Sequence, residues 1–98
     1  MPSTPGVDIV IAEDSRIQAK ILERRLTEAG HRVRWGADGQ AALDLVREQA
    51  PAIIVSDIEM PTMTGYEFCK AVKQDPELRK IPFVLLSTLS DPLDIIKG

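Results

Sequence analysis

Three short apolar runs, residues 7–12 (VDIVIA), 52–55 (AIIV) and 81–86 (IPFVLL), constrain this chain more than any other feature. Each is too short for a core helix, and the first two are dominated by β-branched residues. They read as strands buried on both faces. Residues 31–35 (HRVRW) instead alternate apolar and polar side chains, the pattern of an edge strand with one wet face. Between these runs the apolar residues fall at helical spacing. Ser15 caps a helix running to about Ala29, with Gly30 as its stop and Ile17, Ile21, Leu22, Leu26 and Ala29 on one broad face. Asp38 caps a second helix, Gly39 to about Gln49, with Ala42, Leu43, Leu45 and Val46 turned inward. A third runs from Gly65 to about Gln74 with Phe68, Cys69 and Val72 buried, and ends before Asp75-Pro76 because the residue preceding proline disfavours helix. A fourth helix starts at Ser90 or Asp91. This β-α-β-α-β-α-β alternation predicts an α/β fold, a doubly wound parallel sheet with helices on both faces and right-handed crossovers.

The 98 residues suffice for one domain, residues 7–98, preceded by a disordered lead-in over residues 1–6. That lead-in lacks a basic segment followed by an apolar one, so it is not a signal peptide, and no apolar run approaches the roughly 20 residues of a membrane span. A net charge of -3 argues against direct grip on nucleic acid. Cys69 is the sole cysteine, so no disulfide closes within the chain, in keeping with a reducing, cytoplasmic location.

The chemistry gathers at strand ends. Glu13 and Asp14 close the first run, Asp57 follows the second, and Ser87 and Thr88 close the last. In an open parallel sheet, ligands bind at the carboxyl ends of the strands. Neighbouring strands would bring these five residues to one rim. Converging carboxylates repel unless a cation or protons intervene, and a partial set of hard oxygen ligands suits Mg²⁺. Such an ion would make Asp57 usable as a nucleophile, with Ser87 and the Thr88 backbone N–H available to the transferred oxygens. Each piece has a plainer reading when taken alone. Glu13 and Asp14 are suited to a helix N-terminus, Ser87-Thr88 to a cap and Asp57 to a turn. His31 is the only histidine and reads as a surface residue. Arg16, Lys20, Arg24 and Arg25 read as the solvated side of a helix, with partner contact as the alternative.

Together these residues carry a resemblance. Glu13-Asp14-Ser15, Asp38-Gly39, Asp57-Ile58-Glu59-Met60-Pro61 with Gly65 downstream, and the strand ending in Ser87 stand in this order from about Val7 to Gly98. In this the chain resembles the receiver domain of bacterial two-component response regulators. The resemblance implies the flavodoxin-like sheet, order 2-1-3-4-5, a general order of doubly wound folds for which a chemotaxis receiver is a standard example. It also implies that Asp57 accepts a phosphoryl group from the phosphohistidine of a sensor histidine kinase or phosphotransfer protein. Mg²⁺ would be held by Glu13, Asp14, Asp57 and the Glu59 backbone carbonyl, and Ser87 would hydrogen-bond the phosphoaspartate. Such a domain is a phosphoacceptor that assists its own phosphoryl transfer and hydrolysis, not an enzyme in the ordinary sense.

The sequence departs from the family pattern at its end. The family's fifth strand, its lysine and its fifth helix are missing, so the expected order is 2-1-3-4, cut within the fourth helix. The strand at residues 81–86 would then present an apolar edge suited to self-association. The alternative function is a receiver-like binding or dimerisation module that is not phosphorylated in this form. A phosphatase of the haloacid dehalogenase type also uses a strand-end Asp, but that family places a second Asp two residues on, where this chain has Glu59.

Overall fold

The computed structural model describes residues 6–86. Ser87, Thr88, the helix expected from Ser90 or Asp91, and all of the expected lead-in except Gly6 lie outside the described residues. The elements are β1 (Asp8–Ala12), α1 (Arg16–Glu28), β2 (Arg32–Gly36), α2 (Gly39–Glu48), β3 (Ile53–Asp57), α3 (Gly65–Gln74) and β4 (Phe83–Leu86). Among the described residues they form one sheet in the order β2-β1-β3-β4, parallel throughout, as the alternation predicts.

Each helix begins where a side-chain oxygen can accept one of the backbone N–H groups that the first turn leaves unpaired. Ser15 accepts from Gln18 and opens α1. Asp38 accepts from Ala41 at 2.8 Å and opens α2. Thr64 and Glu67 form a reciprocal capping box at the start of α3. The box reads from the letters T-x-x-E, yet Thr64 passes for a simple turn residue until the helix start is known. At the other end of α2 the Arg34 guanidinium on β2 donates to the Leu45 and Gln49 carbonyls at 3.0 and 2.7 Å. It thereby gives a partner to the Gln49 carbonyl beyond the helix end, adds a second donor to the Leu45 carbonyl that already accepts from the Gln49 N–H, and places positive charge at the helix's negative end.

Strand alternation divides the core between the two faces. Val10, Ala12 and Ile54 pack with Ala42, Leu43 and Val46 of α2 and with Phe68 and Val72 of α3. Phe68 meets Phe83 of β4 edge to face, with ring centres 5.1 Å apart. Ile9 and Ile11, on the opposite face, are also buried.

Four details differ from the sequence expectation. The inward residue of α1 is Ala19, at 2% exposure, whereas Ile17 and Ile21 are 72% and 49% exposed. At about 100° per residue those two isoleucines stand roughly half a turn away from Ala19. Leu22 and Leu26, nearer to Ala19 around the helix, are half-buried where α1 packs along β2. Cys69 is only half-buried, and Gly65 takes its place on the inner face with Phe68 and Val72. Ile53 and Val55 of β3 are half-buried, so of the apolar run only Ile54 is fully covered, and the other face closes over the strand only at Asp57. β4 starts at Phe83, two residues later than expected, because Pro82 has no N–H for the ladder.

Candidate functional site

Parallel register decides where the acids meet. Ala12 of β1 pairs with Ser56 of β3, so Glu13 and Asp57 come next on adjacent strands at the same end of the sheet. Glu13, Asp14 and Asp57 each offer a carboxylate oxygen within 4.8 Å of the others. Glu13 and Asp57 are buried, at 8% and 2% exposure, while Asp14 faces solvent. Thus three of the predicted site residues converge, and Glu59 adds its charge to the field at Asp57.

Backbone donors hold two of the carboxylates. Ser15 N–H donates to Glu13 Oε2 at 3.1 Å, and Ile58 N–H donates to Asp57 Oδ1 at 2.8 Å. Behind Asp57, its carbonyl accepts from the Ser56 hydroxyl at 2.8 Å. The start of α3 is drawn in by the Gly65 N–H, which donates to the Ile58 carbonyl at 2.7 Å.

Burial raises the Glu13 carboxyl to about 7, partly opposed by the Ser15 N–H and reinforced by the charges of Asp57 and Asp14. Burial likewise raises Asp57, opposed by the Ile58 N–H and reinforced by the charge of Asp14. Both directions record the cost of crowding like charges in a place poorly reached by water. Among the described residues the one ion pair, Arg32–Asp8 at 2.9 Å, involves none of these acids, and no described basic side chain pairs with them. The donor set fits a small hard cation. All the candidate donor atoms are carboxylate oxygens, the class of donor that Mg²⁺ prefers, and they lie close enough together to face one ion.

The sequence reading missed one feature of this rim. The Trp35 indole N–H donates to the Glu13 carbonyl at 2.8 Å, and the Glu13 N–H donates to the Gly36 carbonyl at 3.1 Å. The signal available in the letters was a large aromatic with a polar N–H at the end of an edge strand, a group that needs an acceptor when partly buried.

Comparison with known proteins gives one answer. The family model of the response regulator receiver domain matches residues 9–98. The chain is 36% identical over 90 residues to the transcriptional regulatory protein AfsQ1 of Streptomyces coelicolor, covering 92% of this chain and 39% of that protein. It is 39% identical to the signal receiver domain of a signal transduction histidine kinase from Syntrophus aciditrophicus, with a TM-score of 0.82 over 94% of this chain and 70% of that one. It is 32% identical to the chemotaxis response regulator CheY4 of Vibrio cholerae, with a TM-score of 0.83 over 97% of this chain and 78% of that one. The chain spans less than half the length of the curated relatives it matches, 39% for AfsQ1 and 20% for the response regulator PleD of Caulobacter vibrioides.

Proposed function

This chain belongs to the response regulator receiver domain family, a class of signalling modules rather than ordinary enzymes, and on that premise we propose that it accepts a phosphoryl group on Asp57. The observation that carries the reading is the convergence of Glu13, Asp14 and Asp57, from the ends of β1 and β3, into one cluster that has no basic partner among the described residues. The reaction is written on this chain's own atoms. An Asp57 carboxylate oxygen forms a bond to phosphorus, the P–N bond of the donor phosphohistidine breaks, and the imidazole leaves with the bonding electron pair and takes up a proton from water. The product is an acyl phosphate. Ile58 N–H orients the attacking carboxylate. Burial of Asp57 limits water around it, which strengthens its interaction with nearby charge. Glu13, Asp14, Asp57 and the Glu59 backbone carbonyl would hold Mg²⁺, with Ser87 and the Thr88 N–H receiving the phosphoryl oxygens. When bound, that cation offsets the repulsion between the acids and the incoming phosphoryl oxygens. The proposed setting is cytoplasmic. No helix among the described residues is long and apolar enough to cross a membrane.

The acid cluster makes stability depend on pH. The folded chain holds the Glu13 proton up to about pH 7, whereas the ordinary carboxyl value is 4.5. Between those values the folded state binds more protons than the unfolded one, so this group's contribution falls as pH rises through the window. Asp57 acts in the same direction. The metal-free chain is expected to lose stability between about pH 5 and pH 8, and Mg²⁺ is expected to restore it at the upper end, where the ligands are deprotonated. Thermal melts with and without Mg²⁺ at both pH values test this, and Glu13→Gln should flatten the pH dependence. An equal Mg²⁺ effect at both ends would contradict the assignment.

Exposed Ile17 and Ile21, flanked by Arg16, Lys20 and Arg24, support α1 as the surface that meets the phosphodonor protein. Ile17→Glu places a charge on that surface without touching the core. We expect it to slow transfer from a cognate histidine kinase by roughly 10-fold or more, the scale of a central interface residue. Labelling by acetyl phosphate should be unchanged. Equal losses with both donors would place the defect in the pocket instead.

A further inference from the structure

We propose that Trp35 is a positioning residue for the cation site, holding the peptide that joins Glu13 to Asp14 so that both acids stand ready for a divalent ion. This rests on the cation-holding reading of Glu13, Asp14 and Asp57 given above. The Glu13 carbonyl is the carbonyl of the Glu13–Asp14 peptide, and the indole N–H reaches it at 2.8 Å. The same residue's N–H is held by Gly36 at 3.1 Å. The end of β2 therefore grips Glu13 on both sides of its α-carbon, which fixes where its own side chain and that of Asp14 depart.

The grip is itself anchored. Trp35 and Gly36 pair in register with Ile11 and Ala12 of β1. A Cβ on Gly36 would come within 2.7 Å of the Ala42 Cα, so this strand end lies hard against the first turn of α2. Three acids held close repel one another, and Asp14, exposed on the loop after β1, is the one best able to swing away. Pinning its peptide keeps the ligands assembled before the ion arrives, so less ordering is left to occur on binding.

The test uses the full 98-residue chain and Mg²⁺ alone. Trp35→Phe removes the indole N–H and keeps an aromatic ring. Losing one neutral hydrogen bond is expected to weaken Mg²⁺ binding by roughly 3- to 10-fold in a calorimetric titration. Val33→Ala, on the same strand but without a bond to Glu13, is the control for lost packing. It should lower the urea midpoint and leave Mg²⁺ affinity unchanged.

A second measurement does not depend on any variant. Trp35 is the only tryptophan, so its indole resonance in a ¹⁵N–¹H spectrum is assigned without ambiguity. That resonance should move with the same Mg²⁺ midpoint as the Asp14 and Ser15 amides. A Mg²⁺ affinity unaltered in folded Trp35→Phe, or an indole resonance that stays still while those amides move, would overturn the proposal alone. A wild-type chain that gives no response to Mg²⁺ would overturn the cation site and this proposal with it.

Discussion

Asp57→Asn is expected to abolish covalent phosphate incorporation from acetyl phosphate while leaving the chain folded and, at about pH 8, more stable than the wild type. The two halves have separate causes. An amide cannot act as the carboxylate nucleophile, so no acyl phosphate forms. The amide oxygen still accepts from the Ile58 N–H, which bonds Asp57 Oδ1 at 2.8 Å, so the local geometry survives. The substitution also removes one of three crowded negative charges, whose mutual repulsion the cluster carries when no cation is bound. Intact-mass spectrometry reads the label and a urea melt reads the stability. Label persisting at wild-type stoichiometry would remove Asp57 from its role. A large fall in stability would mean that the Asp57 charge supports the fold, contrary to the upward displacement of its ionisation.

Gly65→Ala is expected to be the most damaging small substitution near the site, lowering stability by about 1–3 kcal/mol. Helix propensity alone predicts the opposite sign, since alanine is favoured over glycine within a helix by up to about 1 kcal/mol. Sterics decide the matter. A Cβ at Gly65 would overlap the Asp57 carbonyl oxygen and stand 2.9 Å from Leu85 Cδ2 and 3.0 Å from Ile58 Cα. Two of these neighbours are backbone, and they belong to the end of β3 that presents the acid, so relief requires moving the site itself. Chemical denaturation measures the loss. A variant as stable as the wild type would show that α3 can withdraw from β3 at no cost. Acetyl phosphate labelling of the folded fraction should also slow, because the carboxylate is displaced along with its backbone.

Much of this arrangement can be read from the letters because it follows from local rules. Ser15 and Asp38 cap the helices expected of them, and β-branched runs become strands in a parallel order. The convergence of Glu13, Asp14 and Asp57 follows once the carboxyl ends of β1 and β3 lie side by side. Other features depend on which neighbour an element meets, and no local pattern carries that. Ile17 and Ile21 fit an apolar stripe on paper, yet the packing of α1 along β2 selects Ala19 as the inward position. The role of Trp35 requires the β1–β2 register, which pairs Trp35 with Ile11 and so sets the indole beside the acid pair. Cys69 differs from expectation for a similar reason, because α3 approaches β3 most closely at Gly65, where a Cβ would meet the Asp57 carbonyl.

The joining of Glu13 and Asp57 through the Ala12–Ser56 register has a consequence for when such a chain can respond at all. Neither half of the polypeptide contains the pocket. It comes into existence only after two distant segments have docked side by side. On the proposed function, a nascent or misassembled copy would be deaf to a donor, and reception would be gated by successful maturation without any dedicated checkpoint.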